Sequence, residues 1–289
     1  MFHYIMVMSL VFGLMMKMVA VKQRLTTMTR RWTASQSRGE RGQSMVEMAL
    51  AFPILLLVLA GALEVGKYFN DYLTLLDSTR EAARWEADHD YSSVVEPPYA
   101  VDANDPKNYA AHGKCDGDFY RQAACLVFQN IYGFRYDPAV DDVVVSVVSI
   151  GSDGKVAYRF PRPCSGGGPM PPAGMYQGCN SLVTSRAQGW SYCQNVIQQN
   201  INREEMADPK INYTGTACQP KASLYSDHDI ETLLNTTSTP RTGLVLVEVY
   251  HVHRQFLGLI PPTLPFLPQQ VMMHAYTIMP NPSAAPISP

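Results

Sequence analysis

A glycine and, five residues later, a carboxylate, Gly42 and Glu47, stand at the mouth of an apolar or small-residue run from Met48 to Leu63. A carboxylate at the edge of a hydrocarbon layer costs on the order of a few kcal/mol unless it is paired or neutralised. No basic residue lies within the run, so Glu47 needs a partner from outside it. A second candidate is the pair His251 and His253, whose alternation on one strand face could offer two metal ligands, with His274 on a neighbouring strand. No spacing fixes a third ligand, so these histidines read as polar residues on the solvated face of a sheet, and no metal is expected. Asp141 and Asp142 precede a strand and read as turn and edge residues, not as an acid/base pair. The chain has no Gly-rich phosphate loop, nucleophile elbow or His-Glu-x-x-His helix, so neither a catalytic residue nor a cofactor is expected. A membrane-tethered hydrolase therefore has no named residues behind it.

The element that positions Glu47 is a membrane span. Met45 to Leu63 is 19 residues, near the roughly 20 needed to cross a bilayer. Leu50 lies within it, and Pro53 removes one backbone donor there, which predicts a kink or loosened turn near Ala49. In a bilayer such a turn needs a neighbouring helix or water to satisfy it. Residues 1–41 carry a net charge of +6, leaving −8 for the remainder. A basic flank marks the cytoplasmic side, which places the rest of the chain outside. The same topology accounts for the basic excess, so nucleic-acid binding is not expected.

Past the span, Val65, Tyr68, Phe69, Tyr72, Leu75, Leu76, Thr79, Ala82 and Ala83 recur at helical spacing. Lys67, Asp71, Asp77, Arg80, Glu81 and Arg84 fill the other face. The pattern predicts one helix over Ser44 to Ala87, roughly 65 Å long at about 1.5 Å per residue. Its first part is embedded in the membrane and its second part packs one stripe on a soluble domain. Residues 2–20 form another apolar stretch, with Lys17 as its one charge. A start at Met28 gives a short basic leader ending at Gly42, and residues 1–27 then read as an upstream extension of the gene model.

Residues 88–118 read as loop, and Asp118 to Tyr132 as a second helix. Asp142 to Ile150 is the strongest strand. A turn at Gly151 to Gly154 and a partner strand over Lys155 to Phe160 complete a hairpin. Gly243 to Val252 and Val271 to Ile278 add two more strands. The expected fold is α+β, with helices on one face of an antiparallel sheet of about four strands. The domain spans residues 88–280, with an insertion at about 162–241 and a disordered tail at 281–289. Within the insertion, Ser181 to Met206 reads as helical around Trp190, Val196 and Ile197. The six cysteines, Cys115, Cys125, Cys164, Cys179, Cys193 and Cys218, face an oxidising side in this topology, and their even count favours disulfides. Local pairs such as Cys164 with Cys179 are preferred. The run Phe256 to Pro268 carries four prolines and is expected to cover the sheet edge or core, or to dock another subunit.

The stretch RGQSMVEMALAFPILLL, with Gln43, Val46, Glu47, Ala49, Leu50 and Pro53 where they stand, resembles the type IV pilin class, and within it the TadE branch of the tight-adherence pilus system. The resemblance runs over about residues 41 to 87 and closes on REAARWEA, Arg80 to Ala87. It implies that a prepilin peptidase cleaves after Gly42. Gln43 then becomes the mature N-terminus, and its free α-amino group in a neighbouring subunit becomes the partner of Glu47. It also implies a pseudopilin-like role without catalysis, with an assembly platform and other pilin-like subunits as partners. The competing reading is a signal-anchored extracytoplasmic binding or adhesion module that is never cleaved.

Overall fold

The computed structural model describes residues 40–91, 119–164, 180–183, 188–197, 218–235, 243–255 and 270–285. The chain divides into two units, Met1–Gly61 and Ala62–Pro289, and one helix, α1 (Glu40–Ala87), runs through the division. The expected start at Ser44 is therefore moved back by a turn, and the helix continues through Pro53.

In the first unit every side chain from Met45 to Leu59 is exposed, large aliphatic groups included. Soluble monomers rarely expose an apolar surface of this extent. Among the described residues, α1 is the one helix long and apolar enough to cross a membrane.

In the second unit α1 turns a different stripe inward. Asp71, Leu75, Ser78, Thr79, Ala82, Ala83 and Glu86 are buried at three- and four-residue steps, and the small residues let the helix lie close to the sheet. Phe69 and Asp71 have exchanged their expected sides: Phe69 is 56% exposed and Asp71 only 2%. The C-terminal end of α1 is capped by a distant residue. Asn281 Nδ2 donates at 2.8 Å to the carbonyl of Glu86, a helix-end acceptor with no partner within the helix, and at 3.2 Å to the His89 carbonyl just past the helix.

Helix α2 (Phe119–Asn130) buries Phe119, Tyr120, Ala123, Ala124, Val127 and Phe128, the face its periodicity predicts. The sheet is antiparallel, in the order β2 (Val156–Phe160), β1 (Asp142–Ile150), β4 (Gly243–Arg254), β5 (Gln270–Asn281). A two-residue strand, β3 (Trp190–Ser191), shares the outer edge of β1 with β2: Val145 pairs with Trp190 and Val147 with Phe160. On the other side Val145 pairs with Val247, which pairs in turn with Thr277.

Helices were expected on one face of the sheet, but they cover both, and β1 is buried at all nine positions. Val143, Val145, Val147, Val245, Val247 and Val249 join the main core with α1, α2, Trp190 and Tyr192. Val148, Ile150 and Leu244, from the opposite face, pack with Ile230 and Leu234 of a third helix, α3 (Asp227–Asn235). Helix α3 falls in the insertion and went unforeseen, although its start carries a capping box. Ser226 Oγ accepts from Asp229 N at 3.2 Å, and Asp229 Oδ2 accepts from Ser226 N at 2.9 Å.

The expected helix around Trp190 is also corrected. Trp190 lies in β3, and Cys193–Ile197 is a single π-helical turn. Gly189 before them has φ +72°, and a Cβ there would come within 2.5 Å of Ser146 Oγ, so only glycine lets this segment close on β1.

Gly243, the first residue of β4, is set against backbone: a Cβ there would lie 2.2 Å from Ala284 Cβ and 2.6 Å from the Ala284 carbonyl carbon. Gly243→Ala is expected to cost about 1–3 kcal/mol by overpacking. A melting temperature unchanged from the parent, followed by circular dichroism, would refute this close approach.

Candidate functional site

Two regions hold the residues that could do chemistry, one in each unit. In the first, Gly42 and Gln43 fall in the opening turn of α1 and Glu47 follows about one turn later, exposed. The Gly42–Gln43 bond is thus helical, in the turn whose N–H groups lack intrahelical partners and which opens at least cost. Met45 and Leu50 of the apolar run are exposed at 78% and 70%, Leu63 is exposed as well, and Pro53 sits within the helix.

The second region is a set of buried carboxylates on the sheet and α1. His251 and His253 are not on a solvated face: both are buried, each against an acid. His251 Nδ1 donates to Asp141 Oδ2 at 2.9 Å, and Phe134 stacks on its ring at 4.0 Å. Asp141 also accepts from the backbone N–H of Val252 and of Asp137, both at 2.8 Å. It therefore ties the turn before β1 to the far end of β4.

His253 Nδ1 donates to Asp71 Oδ2 at 3.1 Å, while its Nε2 lies 3.8 Å from Glu64 Oε1. Lys67 is ion-paired with Asp71 and donates to the Gly133 carbonyl at 3.2 Å. This cluster explains why Asp71 faces inward: a carboxylate with a lysine and a histidine beside it can be buried where a lone one cannot. Sequence reasoning missed it, although Glu64 and Asp71 are seven residues apart and so share a helix face.

His274 lies on the opposite face of the sheet, its Nε2 3.0 Å from Glu248 Oε1. That oxygen also accepts from Leu224 N at 2.9 Å and lies 3.2 Å from the Tyr250 hydroxyl. Burial, with the Glu248 charge behind it, holds the Tyr250 phenol above its usual range. The sheet thus separates His274 from His251 and His253. Among the described residues no three His, Cys, Asp or Glu side chains gather as a metal site.

Asp141 and Asp142 are wholly buried, not turn and edge residues. Asp142 is the hub of the insertion. It accepts from Ser191 Oγ at 2.6 Å, Cys193 N at 3.0 Å, Lys221 N at 2.7 Å and its neighbour Val143 N at 2.9 Å. Burial pushes its carboxyl up to about 7, against the pull of these four donors. The segments it holds are joined covalently as well, by the disulfide Cys193–Cys218. Cys125 and Cys164 are also disulfide-bonded. Cys115, Cys179 and the preferred Cys164–Cys179 pairing fall outside the described residues, as does the run 256–268.

These arrangements clamp elements together. Residues 42–84 match the family model described as TadE-like protein. No curated protein and no solved structure matches the chain.

Two outcomes follow from the buried acids. Asp71→Ala strands His253 and Lys67 and is expected to cost about 3 kcal/mol, read as a lowered denaturant midpoint; an unshifted midpoint would show that the cluster holds nothing. Asp142 has a folded value of about 7 against an ordinary 3.8. Between these values the folded state carries a proton that the unfolded chain lacks, so the stability this group contributes falls as pH rises through that window. Melting temperatures taken from pH 5 to pH 8 (roughly the range over which such a group titrates) should decline more in the parent than in Asp142→Asn. Parallel profiles would remove the effect.

Proposed function

We propose that this chain is a TadE-like minor pseudopilin, a single-pass membrane subunit that takes part in assembling a tight-adherence (Flp, type IVb-like) pilus or a related export machine. One observation carries the reading: the stretch matching the TadE-like model begins at Gly42 and ends at Arg84, within the one described helix apolar enough to cross a membrane. That family is one of pilus-associated structural proteins, so the role is one of assembly and not of catalysis.

In this reading Gly42 is the residue recognised by a prepilin peptidase and Gln43 is the mature N-terminus. Glu47 meets the new α-amino group of a neighbouring subunit, an ion pair that lowers the cost of an acid at the bilayer edge. The partners are the peptidase, the assembly platform and other pilin-like subunits. The basic leader faces the cytoplasm. The disulfide Cys193–Cys218 supports an extracytoplasmic domain, since such bonds persist on the oxidising side.

The experiment is the intact mass of the protein recovered from membranes. A mature chain beginning at Gln43 is expected, and Gly42→Ala should abolish that species. A parent chain that retains Trp32 to Arg41 overturns the proposal in favour of an uncleaved, signal-anchored extracytoplasmic module.

A further inference from the structure

Where α1 leaves the apolar run, its charges turn inward and its outward face carries no exposed charge, Asn70 being the one exposed polar side chain before Asp77. Leu63 and Phe69 are 53% and 56% exposed, with Gly66 exposed between them. Glu64 and Asp71, at the same level, are buried beside His253, and Lys67 is drawn in with Asp71. The first exposed charged residues beyond Leu63 are Asp77 and Arg80. Tyr132, just past α2, is 67% exposed. It is held level with this stretch because the Gly133 carbonyl accepts from Lys67 Nζ, and a Cβ at Gly133 would lie 3.7 Å from Asn70 Nδ2.

A helix face bathed in water would carry its charges outward, and here the reverse holds. Two further arguments name what covers the stripe. It follows directly in sequence on a run long and apolar enough to cross a membrane. Phe69 also lies only about 9 Å beyond Leu63 along the axis, and helical side chains lean back toward the N-terminus, here toward the membrane. Its ring therefore falls within the headgroup layer, about 5–7 Å deep on each side of the hydrocarbon, where aromatic side chains are favoured.

We propose that Leu63, Phe69 and Tyr132 form a membrane-seated base, resting in the headgroup layer of the bilayer leaflet from which the domain emerges. The domain is then held at a fixed height and rotation against the lipid surface. The inference rests on the reading that α1 crosses a membrane.

The test uses the full chain in nanodiscs of phosphatidylcholine and phosphatidylglycerol, with a matched set whose lipids are brominated near the top of the acyl chains. Phe69→Trp and Tyr132→Trp report on the base, Asp77→Trp on the face above it and Leu57→Trp on the span. The signal of Trp32, Trp85 and Trp190 is removed by subtracting the parent. Phe69→Trp and Tyr132→Trp are expected to be quenched by bromolipid roughly twofold or more above Asp77→Trp, since side chains seated at the headgroup–acyl boundary lie close to bromines at the top of the chains. Quenching no greater than that of Asp77→Trp overturns the proposal. If it comes with blue-shifted emission, protein covers the stripe, whether residues 256–268 or a second chain; without the shift, water does. An unquenched Leu57→Trp instead overturns the membrane reading itself.

Discussion

A carboxylate placed in a dry interior must find its donors or be neutralised, and Asp142 does some of each, with four hydrogen bonds at the first residue of β1 and a carboxyl that burial still pushes up to about 7. Three of its donors, Ser191, Cys193 and Lys221, come from the insertion. The long excursion between β2 and β4 is therefore fastened at one buried point, reinforced by Cys193–Cys218. The same requirement shapes the rest of the domain. Asp141 fastens the preceding turn to β4, Asp71 fastens α1 to β4, and Glu248 fastens the 222–224 segment to β4 and β5. Valine packing supplies the mass of the core, but these acids decide which elements meet. Unmatched, each would be costly to bury, so alternative packings are disfavoured.

Helix α1 changes character along its length. From Met45 to Leu59 its side chains, most of them aliphatic, are all exposed. Its second unit is one-sided, with small residues and paired acids toward the sheet. The hydrogen bonds from Asn281, at the far end of β5, to the carbonyls of Glu86 and His89 couple the end of the helix to the end of the sheet.

Much of this was legible beforehand. The apolar run, the Val-rich β1 and the Gly151 turn produce local patterns strong enough to survive folding, and each element lies within a few residues of its expected position. The two-sided burial of β1 left a hint, because a strand covered on both faces loses its alternation. Helix α3 was hidden in a polar stretch whose capping box is short. Trp190 misled because an aromatic at helical spacing carries no sign of Gly189's positive φ or of a strand edge left open by the shortness of β2.

The sequence by itself determined the long apolar helix and the α+β order of elements, because hydrophobic period, proline and glycine act over a few residues. Only the tertiary structure decided that His251, His253, Asp71 and Asp142 are buried clamps and not surface groups. The reason is electrostatic. Whether an ionisable side chain can leave water depends on partners brought from about 50 to 180 residues away, and no local pattern records that meeting.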